Sequence, residues 1–113
     1  MSSIVERLTD MGCDMQAAME RFMNDEEFYE DCYKMTMEDE VFENLGKSIE
    51  ARNIQEAFDY AHMLKGVVAN MGITHLYKLL VEIVEILRVK SMDNVPELYR
   101  KLMEEKKAYD ALI

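Results

Sequence analysis

The chain has 113 residues, half of them apolar, with 23 acidic against 13 basic side chains, a formal net charge of −10, four glycines and one proline. That length allows one hydrophobic core and not two, and the apolar content excludes a disordered chain. The acidity excludes a nucleic-acid surface, which needs clustered Lys and Arg, and disfavours anionic membranes; it serves solubility instead.

Few glycines, a single proline and scattered β-branched residues favour helix over sheet. No apolar stretch approaches the roughly 20 residues that span a bilayer. Met1–Glu6 lacks the basic start and apolar run of a secretion signal, so a cytoplasmic location is expected. Cys13 and Cys32 form no C-x-x-C pair and are expected to be free thiols in or near the core. The eleven methionines are read chiefly as core filler, with a Met-lined partner groove as the second reading.

In chain order, Ser3-x-x-Glu6 is a capping box that opens a short helix, which Gly12 can end. Asp14 can cap a second helix, Met15 to Phe22, and Asp25 a third, Glu26 to Met35. Thr36-x-x-Asp39 predicts the start of a fourth over Met37 to Arg52, and Asn53-x-x-Glu56 the start of a fifth over Ile54 to Met71. In the fifth, Ile54, Ala57, Phe58, Ala61, Leu64 and Val68 follow helical spacing. Gly72 suits a left-handed C′ position, and Thr74 can cap a sixth helix over His75 to Val89. After a turn at Ser91–Asn94, Pro96 fits the first turn of a last helix, which Leu98, Leu102 and Leu112 with Tyr99 and Tyr109 can pack. Four longer helices joined by short turns predict an all-α fold. It is expected to be an up-down antiparallel four-helix bundle, a single domain over residues 1–113, with the short additional N-terminal helices covering one end or side.

Inside the fifth helix stands Ala61-His62-Met63-Leu64-Lys65-Gly66. Lysine at i+3 and glycine at i+4 are surface neighbours of the histidine. At about 100° per residue, His62 falls about 110° from the centre of the apolar stripe, on the border between core and solvent. It shares that side with Gln55, Asp59, Gly66 and Ala69. Lys65 falls nearer the core edge, where its stem can cross apolar surface while the ammonium reaches water. Glycine in mid-helix costs about 1 kcal/mol relative to Ala. Away from the stripe centre, that cost is better explained by access to the imidazole than by helix packing.

The run resembles the H-x-L-K-G motif of histidine-containing phosphotransfer (HPt) domains. Around it stand Glu56–Ala61 and Asn70-Met71-Gly72-Ile73, and Arg21–Tyr29 looks like the segment that often opens the bundle in this family. The likeness spans about Gly12 to Arg88. Positions after the glycine, often small in the family, are Val67 and Val68 here.

The resemblance implies a helical bundle that carries a phosphoryl group on His62 and exchanges it with the aspartate of a response-regulator receiver domain. Lys65 would stabilise the phosphoryl group, Gly66 would give steric access, and Gln55, Asp59, Met63 and Ala69 would take part in docking. Receivers and a hybrid histidine kinase are the implied partners of a monomeric phosphohistidine carrier without kinase activity of its own. No intrinsic cofactor is expected, and Mg²⁺ is expected on the receiver. A neutral imidazole, with an ordinary pKa of about 6.5, needs no general base before attack. The alternative is a helical adaptor that binds a partner without phosphotransfer. A di-metal bundle site is disfavoured, because Asp59-x-x-His62 has no second carboxylate-x-x-His pair: Gly72 stands three residues before His75. His75, at a predicted helix start, is expected to be exposed and without a role.

Overall fold

Polar caps and apolar stripes divide residues 3–113, those described by this computed structural model, into seven helices. These are α1 (Ile4–Asp10), α2 (Met15–Arg21), α3 (Glu26–Glu38), α4 (Val41–Glu50), α5 (Ile54–Met71), α6 (Thr74–Arg88) and α7 (Val95–Asp110). Met1 and Ser2, the start of the segment read for secretion-signal character, lie outside the described residues. Among the described residues no helix is long and apolar enough to cross a membrane.

Four helices begin on the side chains that the sequence offers as caps. Ser3 accepts from the Glu6 amide at 3.1 Å, Asp14 from Ala17 at 3.2 Å, Asp25 from Phe28 at 3.0 Å and Asn53 from Glu56 at 3.1 Å. Each bond satisfies one of the amides that a helix start leaves without a partner, and is worth about 1 kcal/mol. Pro96 lies in the first turn of α7 as expected.

Two predicted starts are displaced. Thr36 does not open α4 but lies inside α3, its hydroxyl donating back to the Cys32 carbonyl at 2.8 Å. The break comes later, where Asp39 takes the Val41 amide at 2.8 Å. As a result α3 is longer than predicted, and α4 is shorter at 10 residues. Thr74 is likewise the first residue of α6 rather than its cap. The cap position is held by Ile73, which is fully buried and makes no side-chain cap bond. Burial of that isoleucine, a tertiary effect, sets the boundary.

α4 packs on α5, α5 on α6, α6 on α7 and α7 on α4, so these four helices enclose a common core. The first three helices lie outside this ring: α2 and α3 rest on α5, and α1 rests on α2 and α3. They also close the C-terminal end of α5, where four carbonyls lack an intrahelical partner. Val68 and Ala69 receive the amides of Ile73 and Gly72 at 3.1 Å each, with Gly72 in the left-handed conformation at φ 77°. Arg21 of α2 donates to the Ala69 and Asn70 carbonyls at 2.9 and 3.0 Å, and the buried Tyr29 hydroxyl of α3 donates to Met71 at 2.6 Å.

Tyr33, also fully buried, donates its hydroxyl to the Tyr109 carbonyl at 2.7 Å and ties α3 to the end of α7. Burial pushes the phenols of Tyr29 and Tyr33 far above the ordinary tyrosine range. Cys13 and Cys32 are free thiols, Cys13 buried and Cys32 partly so, and burial also raises the Cys13 pKa. Gly46 in mid-α4 was passed over in the sequence. A Cβ there would fall on the Tyr99 hydroxyl, which donates to the Phe42 carbonyl at 2.9 Å.

Gly72 carries the sharpest local requirement. A Cβ on it would approach the Asp14 carbonyl oxygen to 2.9 Å, on a backbone that L side chains rarely adopt. Gly72→Ala should therefore lower stability by about 1–3 kcal/mol, measured by equilibrium urea unfolding. Wild-type stability in that variant would mean that the α5–α6 corner tolerates a side chain.

Candidate functional site

α5 is held as a helix by its Asn53 cap, its left-handed Gly72 and a buried stripe of Ala57, Ala61, Leu64, Val68 and Met71. Ile54 and Phe58, assigned to the stripe from the sequence, are only partly buried. The stripe is therefore narrower than predicted and centred further round the helix. His62 lies about 140° from its centre rather than on its border, and is exposed.

Gln55, Asp59, Gly66 and Ala69 share that exposed strip with His62. The Gln55 amide donates to the Asp59 carboxylate at 3.0 Å, which orients both. A Cβ on Gly66 would meet nothing within 4 Å among the described residues. Helix side chains lean toward the N-terminus, so a longer side chain at position 66 would lie over His62. Gly66 and Gly46 thus differ in kind: one faces open space and the other a neighbouring ring.

The two flanks of the strip contrast. On the side toward α6 stand Phe58 and Lys65. Lys65 is partly buried, and among the described residues it forms no ion pair. The Phe58 ring stacks on the His62 imidazole, centroids 5.7 Å apart and planes 22° from parallel. The Arg88 guanidinium carbon, from α6, lies 5.3 Å from the Phe58 centroid. On the side toward α3, Met63 and Val67 line a groove of about 300 Å³ with Cys32, Met35, Thr36 and Asp39. Met63 is 55% exposed and Met35 71%. Met63 therefore belongs to this apolar flank and not to the polar strip of Gln55 and Asp59. Met15, Met19, Met37, Met71 and Met92 are buried in the core, as core filler, whereas Met35 and Met63 are exposed along the groove.

His75 is exposed and lies at the start of α6, away from this face. Sequence reasoning missed the neighbours Phe58 and Arg88. The i, i+4 spacing of Phe58 and His62 was the available signal, and Arg88 offered none, because only the packing of α6 on α5 brings it there.

The model of the Hpt domain family matches residues 33–112. The chain belongs to the Hpt domain family. The match takes in α4 to α7 and the last six residues of α3, with His62, Lys65 and Gly66 inside it. Arg21–Tyr29, likened above to the family's opening segment, falls before the match, which continues past Arg88 to Leu112. No curated protein and no solved structure matches the chain. Hpt domains serve phosphotransfer in two-component signalling and interact with receiver domains and kinases.

The open space over Gly66 in this Hpt domain generates a stability prediction. Gly66→Ala should leave stability unchanged or raise it by up to about 1 kcal/mol, because it improves helix propensity and displaces nothing. Gly66→Gln should also stay folded. Clear destabilisation of either variant in thermal unfolding would reveal a packing role for this glycine.

Proposed function

We propose that this Hpt domain is a phosphorelay intermediate whose phosphoacceptor is His62. It would accept a phosphoryl group from the aspartyl phosphate of a receiver domain, or from a hybrid histidine kinase, and pass it to another receiver. The observation that carries this reading is the exposed imidazole beside the open Gly66 and Lys65, which forms no ion pair among the described residues.

In the proposed step the unprotonated ring nitrogen of His62 attacks phosphorus. An N–P bond forms as the P–O bond of the acyl phosphate breaks, and the aspartate leaves as carboxylate. The proton on the other ring nitrogen stays or passes to water, so no general base is needed. Such transfer is governed by positioning and by neutralising charge on the phosphoryl oxygens. Lys65 would supply a charge-assisted hydrogen bond to those oxygens. Mg²⁺, which would offset further charge, is assigned to the receiver.

The receiver would lie across α5, with Gln55, Asp59 and Ala69 beneath it and Met63 reaching its apolar surface. Helices α4 to α7, each joined to the next by a short connection, would run alternately up and down, a rigid support for that contact. The chain would act as one domain, as a monomer and in the cytoplasm.

Incubation with phosphorylated receiver domains should place an acid-labile, base-stable phosphate on the chain. His62→Gln should abolish it with the fold retained, whereas His75→Gln should not. Receiver binding without any labelling would favour the adaptor alternative. Lys65→Ala should slow transfer or shorten the phosphohistidine lifetime by about 5- to 150-fold, the effect of one charged hydrogen bond of about 1–3 kcal/mol. Unchanged kinetics there would reduce Lys65 to a solvated lysine. Gly66→Gln should lose most transfer, and normal transfer in that variant would remove the steric role given to Gly66.

A further inference from the structure

An exposed histidine on a helix has two side-chain rotamers open to it, since the third clashes with the preceding turn. Both lean toward the helix N-terminus, over the residue at i−4. Here that residue is Phe58, and the two rings stack at 5.7 Å and 22°, inside the range for attractive aromatic pairs. The plane of the imidazole is thereby coupled to the plane of the phenyl ring.

Phe58 is itself fixed from the neighbouring helix. It is partly buried against the core, and the Arg88 guanidinium carbon lies 5.3 Å from its centroid, a cation–π distance. Glu85, one turn earlier on α6, approaches the Arg88 Nε at 3.4 Å. A chain of contacts therefore runs from Glu85 through Arg88 and Phe58 to His62. Filling the edge of the core at position 58 would require only an aliphatic side chain. Stacking requires a ring.

We infer that Phe58, steadied by Arg88, is a positioning residue that orients the His62 imidazole for phosphoryl transfer. The inference rests on His62 being the phosphoacceptor. Phe58 touches neither the phosphoryl group nor the receiver; it acts through the histidine. Its effect is to restrict the imidazole before a donor arrives, so that less freedom is lost on reaching the reactive geometry. The exposed edge of the ring stays free.

The test uses the full chain with three substitutions. Phe58→Leu keeps apolar bulk and removes the ring, Phe58→Tyr keeps the ring, and Arg88→Met keeps the stem and removes the cation. Two measurements apply to each. The carbon-bound proton shifts of the His62 imidazole, read by NMR without any phosphoryl donor, report stacking through the ring current of Phe58. Labelling rates from phosphoramidate, a small donor that needs no docking surface, and from a phosphorylated receiver report reactivity.

Phe58→Leu should lose the ring-current displacement and slow labelling from both donors by about 2- to 10-fold, with receiver affinity unchanged. Phe58→Tyr should restore both. Arg88→Met, which leaves α5 untouched, should reduce the displacement and slow labelling less; it also carries the test if Phe58→Leu fails to fold. Wild-type labelling rates in Phe58→Leu overturn the proposal. So does slowing confined to the receiver with weakened binding, which would make Phe58 a docking residue. Wild-type imidazole shifts in Arg88→Met overturn the part given to Arg88. If the wild-type chain shows the ring-current displacement but is labelled by neither donor, the phosphoacceptor reading itself has failed, and the positioning role falls with it.

Discussion

The site depends on α5 being buried along one side only. Ala57, Ala61, Leu64, Val68 and Met71 lie against four other helices, so the rotation of α5 about its axis is fixed by the core. Turning it by one residue would bring His62 or its exposed neighbours into the interior and expose several apolar side chains, each worth about 1.5–3 kcal/mol when buried. The axial position is held as firmly, because the last carbonyls of α5 are taken up by Arg21 and Tyr29 as well as by the turn at Gly72. The N-terminal helices thus do more than cover one side of the bundle. They supply polar partners that α5 cannot provide for itself, and they set where its exposed face ends.

With α5 fixed, its exposed face acquires two unlike borders. Toward α6 lie the Lys65 ammonium and the Arg88–Phe58–His62 stack. Toward α3 lies the apolar groove of Met35, Met63 and Val67. Gly66 separates the two and leaves the centre low. On the proposed reading, charge for the phosphoryl group comes from one side and apolar docking area from the other, so a partner crossing α5 meets both in a single orientation. On that reading methionine would suit the docking side, because its flexible, polarisable side chain could adapt to more than one receiver surface.

Much of this was legible in the sequence where the cause is local. The Ser3, Asp14, Asp25 and Asn53 caps bond amides three residues away, and Gly72 is dictated by its own backbone conformation. The helical class and the shared side of His62, Gly66 and Ala69 follow from spacing alone, but spacing put His62 on the border of the stripe, and only the partial burial of Ile54 and Phe58 moves it into full exposure. What the sequence did not give depends on contacts between helices. Thr36 could cap a helix or bond back within one, and only the position of Asp39 relative to the core decides. Gly46 and Gly66 look alike as mid-helix glycines, yet Tyr99 stands over the first and nothing over the second. Phe58 reads as a stripe residue until Arg88 arrives from α6, 30 positions later in the chain.

On the proposed reading, His62 must both receive and give up a phosphoryl group, and so faces conflicting demands. Enclosing it would fix its geometry, but would exclude the large domains that have to reach it. Leaving it exposed on a rigid helix grants access, but leaves its side chain free to turn. Stacking on the preceding turn reconciles the two, because it restrains one face of the imidazole and covers no more of it. The restraint comes from within the bundle, through Phe58 and Arg88, and the missing side chain of Gly66 keeps the approach open from the following turn. The geometry suits a carrier in which the bundle fixes the direction of the nucleophile, and the partner brings the remaining chemistry.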